Sequence, residues 1–191
     1  SRIGTASDTA TIADLRALTH AALQVEIETP RTYRESVDLF RIGWREVDAN
    51  PDGIDFTGPA FEALHLAGLF TRDMATDTGS ATYRAGLKAL YANTDSAMAH
   101  LWQVTPGNAR ADQIAAGRDW VRINLAATAE GLGIQPLSQA LQEYPEMDQY
   151  YRAVHARLAP DGGTVQMLAR LGYGQMVEVS PRWPLEAKII D

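Results

Sequence analysis

The sequence predicts an α+β fold in which a small sheet is flanked by helices that greatly outnumber its strands. Three observations lead there. Apolar residues recur at helical spacing over long stretches, most clearly 9–28, 111–130 and 145–158. Two runs, 97–105 and 165–173, read as strands. Glycine- and proline-rich turns separate these segments, with no internal repeat and no low-complexity linker.

The 191 residues suit a single domain, able to bury a core of useful size. A net charge of −7, with no run of Lys or Arg, argues against a nucleic-acid partner and against an anionic membrane surface. The absence of cysteine excludes disulfides, thiolate metal sites and redox thiols, and is compatible with any compartment. No stretch approaches the ~20 apolar residues of a membrane span. Residue 1 is Ser and no signal-like segment follows it, so a processed form or a piece of a longer chain is expected, in the cytoplasm.

The first helix should run from Thr9 to Glu28, with Ile12, Leu15, Leu18, Ala22 and Val25 on one stripe and Asp8 or Thr9 as its cap. Thr29-Pro30 restarts the chain as a second helix, with Arg31/Glu35 and Arg34/Asp38 at i,i+4 spacing on a solvated face and Tyr33, Val37 and Phe40 turned inward. Asn50-Pro51-Asp52-Gly53 is a turn, and Gly58-Pro59 opens a short helix with Phe61, Leu64, His65 and Gly68 on one side. Thr71 to Ser80 has no apolar period and reads as a mobile surface loop, a candidate lid over 71–80. A helix from Ser80 to Ala92 follows, which Asn93 would end in the left-handed conformation.

Ala97 to Thr105 is apolar enough on both faces for a central strand, and Pro106-Gly107-Asn108 ends it. A long helix occupies Ala111 to Glu130, followed by a short extended piece, Ile134 to Leu137. Pro145 to Leu158 forms a further helix, with Met147, Tyr150, Tyr151, Val154 and Leu158 on one face. Asp161-Gly162-Gly163 turns the chain into the strand Val165 to Tyr173. The tail Ser180-Pro181-Arg182-Trp183-Pro184-Leu185-Glu186 is extended, because a residue before proline is pushed out of the helical region.

Most familiar chemistries find little support. The four histidines, His20, His65, His100 and His155, fall in four different elements without ligand spacing, and His100 and His155 read as satisfied structural histidines. There is no G-x-S-x-G elbow and no P-loop, and Gly131-Leu132-Gly133 is too short for a dinucleotide fingerprint. Asp52/Asp55 and Glu143/Glu146 are close carboxylates of the kind that loops and helix starts collect. The stretch Asp112 to Ala140 is more distinctive. Its helix ends in Ala126-Ala127-Thr128-Ala129, Gly131 and Gly133 stop it, and Ile134-Gln135-Pro136 holds the next residues extended, with backbone amides free to face a bound ring. A closely packed core helix with a glycine cap has the same spacing.

Several segments together resemble the nitroreductase family of FMN-dependent oxidoreductases. They are Ala115-Ala116-Gly117-Arg118, the run Asn124 to Gln139, the strand Met167 to Gly174 and the Arg182-Trp183-Pro184-Leu185-Glu186 ending, spread over Ser96 to Ile189. The run Ala127 to Met147, including Pro136-Leu137-Ser138-Gln139-Ala140-Leu141-Gln142-Glu143-Tyr144-Pro145-Glu146-Met147, is similar to the Acg-like subgroup, in which one chain carries two nitroreductase-like halves. The resemblance implies a nitroreductase-like α+β fold with a mostly antiparallel sheet, residues 1–95 forming a helical N-terminal part and 96–191 the family-like core. It implies an FMN site at Gly131, Gly133, Pro136, Leu137, Ser138 and Gln139, with backbone groups against the isoalloxazine and Arg182 on the phosphate. It implies no catalytic side chain and no metal. Electrons would pass from NAD(P)H through flavin to a quinone or nitroaromatic; the alternative is a flavin-sequestering or degenerate, non-catalytic domain. The partner would be a second copy, as a homodimer, or a missing N-terminal half. Two features depart from the family pattern. No Arg-Ser-x-Arg motif lies near Ser1, and Ser180 stands where the family often has Lys.

Overall fold

The computed structural model describes residues 1–174 and 179–189. In chain order the elements are β1 (Arg2–Ala6), α1 (Thr9–Glu28), α2 (Pro30–Asp38), β2 (Phe40–Ile42), α3 (Trp44–Ala49), β3 (Ile54–Phe56), α4 (Pro59–Leu66), α5 (Arg72–Thr76), α6 (Ala81–Asp95), β4 (Ala99–Thr105), α7 (Arg110–Ala129), β5 (Gly133–Pro136), α8 (Asp148–Leu158) and β6 (Thr164–Gly172). Short 3-10 turns cover Gln139–Leu141, Pro145–Met147 and Leu185–Lys188. The fold is α+β and helix-rich, with a small antiparallel sheet. The chain divides into two compact units. The first comprises Ser1–Thr29 and Leu90–Gln175, the second Pro30–Ala89 and Met176–Asp191. The first twenty-nine residues thus share a unit with Leu90–Gln175, and the C-terminal tail belongs with Pro30–Ala89, whereas the sequence reading divides the chain at residue 95.

The first unit is built on a four-stranded sheet of order β1-β4-β6-β5, antiparallel at every pairing. β4 is central, as its two apolar faces predict. Trp102 on one face packs against a core that joins Leu15 and Ala22 of α1 to Val154 and Leu158 of α8 and Leu168 of β6. Its neighbour Gln103 points the other way and donates through Nε2 to Ala116 O of α7 at 3.1 Å. α1 has the predicted bounds, and Asp8 accepts from Thr11 N at 2.9 Å as its cap. β1 is a strand that the spacing of residues 2–6 does not announce. It runs along β4 from Arg2 opposite Val104 to Ala6 opposite His100. Gly4 makes this pairing fit, since a Cβ there would fall 2.2 Å from the Trp102 indole.

The second unit is more local. β2 and β3 form a short parallel ladder. Phe40, Phe56, Phe61 and Phe70 make tilted or edge-on contacts with centroids 4.7–5.4 Å apart. Phe40 is therefore not the last inward residue of α2. That helix stops at Asp38, because pairing with Ile54 draws Phe40 into a strand.

Two further expectations are corrected. Thr71 to Ser80 is not a structureless loop. Thr71 accepts from Met74 N and starts α5, Ala75 is buried, and Tyr33 donates to Ala75 O at 3.1 Å. A capping hydroxyl and one small buried residue suffice for a single turn too short to leave an apolar period. Asn93 does not end α6 in the left-handed region, since no non-glycine residue described has positive φ. The helix continues to Asp95, and the Asn93 amide oxygen receives Arg170 Nη2 at 3.0 Å.

Candidate functional site

The segment that follows α7 is shaped by its glycine stop. Gly131 has φ +69°, the left-handed region that only glycine enters at little cost. Leu132 N donates to Ala127 O at 2.8 Å and Gly131 N to Thr128 O at 3.1 Å, the paired bonds of a Schellman termination. The chain then leaves as β5, which pairs with β6 from Gly133 opposite Gly172 to Pro136 opposite Ala169. β5 is an edge strand with its outer side unpaired among the described residues, a position where proline is tolerated. Gly133, Gln135 and Pro136 are exposed, while Leu137 is buried as the anchor of the turn.

Six of the seven expected cofactor-binding residues, Gly131, Gly133, Pro136, Leu137, Ser138 and Gln139, follow one another along this edge, from the glycine stop to the turn after β5, with Leu137 turned into the core. It corrects one part of their reading. Leu137 N is not free to face a ring, because it donates to Leu168 O at 2.8 Å and extends the ladder by one bond. Pro136 has no N–H. Ser138 and Gln139 therefore carry the two amides left in the segment, and the buried Gln139 Oε1 has no hydrogen-bond partner. Arg182 belongs to the second unit. Its side chain is exposed and donates through Nη1 to Pro181 O at 2.9 Å, leaving the rest of the guanidinium without a bond among the described residues. Next to it, Trp183 Nε1 donates to Asp52 Oδ2 at 2.9 Å, and Lys188 Nζ lies 4.7 Å from the Trp183 ring centre. These contacts, with Arg41 on the same carboxylate, hold Asp52 below the usual carboxylate pKa range.

The polar residues that border β5 escape the sequence reading. Arg170, opposite Gln135 on β6, donates through Nε to Gln135 Oε1 at 2.7 Å. Its other nitrogens reach Ser96 Oγ at 2.9 Å and Asn93 Oδ1. The signal in the sequence is a single charged residue inside a strand that carries no other. His100 lies opposite Arg170 on β4. It is not the satisfied histidine that its strand suggests. It is fully buried, neither ring nitrogen has a partner, and burial together with the Arg16 charge pushes its pKa down to about 4. His155 does meet the expectation. Its Nδ1 bonds to Tyr151 O at 2.9 Å and Nε2 accepts from Val165 N at 3.1 Å, which fixes the tautomer. Among the described residues no group of three His, Asp or Glu side chains is placed to hold a metal ion, and no helix is long and apolar enough to cross a membrane.

Comparison with family models, with curated proteins and with solved structures finds no match.

Proposed function

We propose that the chain is a nitroreductase-like, FMN-binding domain, the C-terminal part of an Acg-like protein, which passes electrons from NAD(P)H to a quinone or nitroaromatic. The observation that supports this reading is the edge strand that follows the glycine-terminated α7. It places two residues without side chains, Gly131 and Gly133, at one end of the strand and the backbone of Ser138 and Gln139 just beyond its other end. A flat ring can approach such a surface closely, and amides at its margin stabilise negative charge on it. Bound flavin would supply the redox chemistry, as hydride acceptance followed by electron transfer. The chain's own residues bind and orient. Leu137 anchors the turn and the Ser138 and Gln139 amides face the ring; for the phosphate, the family resemblance implies Arg182.

A second reading is a flavin-sequestering domain without turnover. Leu137 N favours it, because an amide already bonded to Leu168 O is one donor fewer for stabilising reduced flavin. For the partner, α7 gives the supporting observation. Ile114, Val121 and Leu125 are each about half exposed or more on this helix. An apolar stripe of this kind suits a second copy of the chain, or the other half of a fused protein.

The visible spectrum decides between these readings. FMN that binds and bleaches when NADPH is added anaerobically supports the enzyme. FMN that binds and stays oxidised supports sequestration. No binding at micromolar FMN sinks both. Arg182→Ala should weaken FMN without weakening riboflavin; equal FMN affinity in this variant would show that the phosphate lies elsewhere.

A further inference from the structure

Two arginines of the first unit converge on one turn, and neither meets a carboxylate. Arg16 of α1 donates through Nε to Ala97 O at 2.8 Å and again through Nη2. Arg170 of β6 donates to Ser96 Oγ, Asn93 Oδ1 and Gln135 Oε1. Every acceptor is neutral. Asp95, the carboxylate in the same turn, is engaged instead by His20 Nδ1 at 2.8 Å and Thr94 Oγ1 at 3.2 Å. Both guanidiniums are half-buried, and desolvation lowers the pKa of Arg170 without an opposing carboxylate. A partly desolvated cation among neutral dipoles is held in position but not neutralised.

His100 adds an independent observation. It lies directly opposite Arg170 across the ladder, and directly opposed residues share a sheet face with Cβ atoms roughly 5 Å apart. Its ring is fully buried, with neither nitrogen hydrogen-bonded. A neutral imidazole has one N–H donor and one acceptor. A buried N–H without an acceptor is costly, and a bound oxygen beside it would remove that cost.

We propose that Arg16, Arg170 and His100, at the turn between α6 and β4, form a binding site for an oxyanion, best matched by a phosphate monoester. Two guanidinium forks suit the several equivalent oxygens of a phosphoryl group. Arg16 Nη1 has no bond among the described residues and remains available. Ser96, Asn93 and Gln135 orient Arg170, and the His100 N–H supplies a neutral donor. A chain of net charge −7 repels anions at long range, and this local cationic corner offsets that repulsion. The site does not depend on the flavin reading. The phosphoryl group can come from the flavin nucleotide or from free phosphate or another monoester.

The experiment titrates the whole chain with inorganic phosphate, against sodium chloride at matched ionic strength, and follows the melting temperature. Phosphate should raise it saturably and chloride should not. Arg16→Gln and Arg170→Gln should each weaken the apparent affinity at least about tenfold. Arg110→Gln, an exposed arginine outside the corner, should leave it unchanged. Arg170 also ties β6 to its neighbours, so circular dichroism checks the fold, and Arg16→Gln is decisive by itself. No saturable phosphate effect, or an unchanged affinity in Arg16→Gln, overturns the proposal. The source is then read by competition. Phosphate that displaces FMN, with FMN affinity lowered by Arg16→Gln and not by Arg182→Ala, identifies the flavin nucleotide and places its phosphate here rather than on Arg182. Phosphate that binds while FMN does not supports the site and removes the flavin reading.

Discussion

α1 and α7 are both twenty residues long and belong to the same unit, yet they are packed differently. α1 buries seven residues, including Leu15, Ala22 and Ile27. α7 buries only Ala116 and Ala127 and leaves Ile114, Val121 and Leu125 half exposed or more. Apolar content is similar, so composition does not separate a core helix from one with an uncovered apolar side. The difference lies in β4. Trp102 faces the layer of α1 and α8, where large side chains interlock, while Gln103 meets α7 through an amide-to-carbonyl bond. One helix is held by volume. The other is held by small residues, a polar tie and its caps.

Equivalent leucine substitutions should expose this contrast. Leu15→Ala leaves a cavity beneath a fully buried side chain and should cost about 2–5 kcal/mol in urea unfolding. The same unfolding measured against pH should reveal His100 on the α1 side of the sheet. Its folded pKa of about 4 lies below the 6.5 of an unperturbed histidine, so below pH 6.5 the unfolded chain binds the extra proton. Stability from this group is complete above pH 6.5, falls as pH drops towards 4, and amounts to about 3 kcal/mol at most. His100→Leu should remove that component; an unchanged acid limb would mean that His100 is already protonated or paired in the folded state. Asp8→Ala, which deletes the α1 cap, should lower the urea midpoint by less than Leu15→Ala does, read from the same curves. The smallest effect belongs to Leu125→Ala on α7, within about 0.5 kcal/mol in the isolated chain. If α7 faces a second copy, Leu125→Asp should shift sedimentation towards the monomer while the fold is retained.

Much of this contrast is hidden in the sequence because it depends on partners distant along the chain. The bounds of α1, the glycine stop of α7 and the central position of β4 can be read locally, from a capping aspartate, a left-handed glycine and an apolar strand. β1 cannot. Arg-Ile-Gly-Thr-Ala is short and mostly exposed, and becomes a strand because β4 offers a ladder and Trp102 lies over Gly4. The candidate ring-binding edge is legible in outline, since Gly131, Gly133 and Pro136 announce an extended edge. That Leu137 N is taken up by Leu168 O is decided by the register with β6. No spacing rule brings Arg16, His100 and Arg170 to one turn, because helix α1 and strands β4 and β6 each place one of them.

Local chemistry in the sequence set the bounds of α1, the glycine stop of α7 and the central place of β4, because caps, glycines and side-chain periodicity act within a few residues. Only the tertiary structure decided which face of each helix is covered, which backbone amides remain available beside β5 and which cations meet without a carboxylate. Those outcomes depend on the sheet register and on side-chain bonds between distant segments, and neither leaves a local mark.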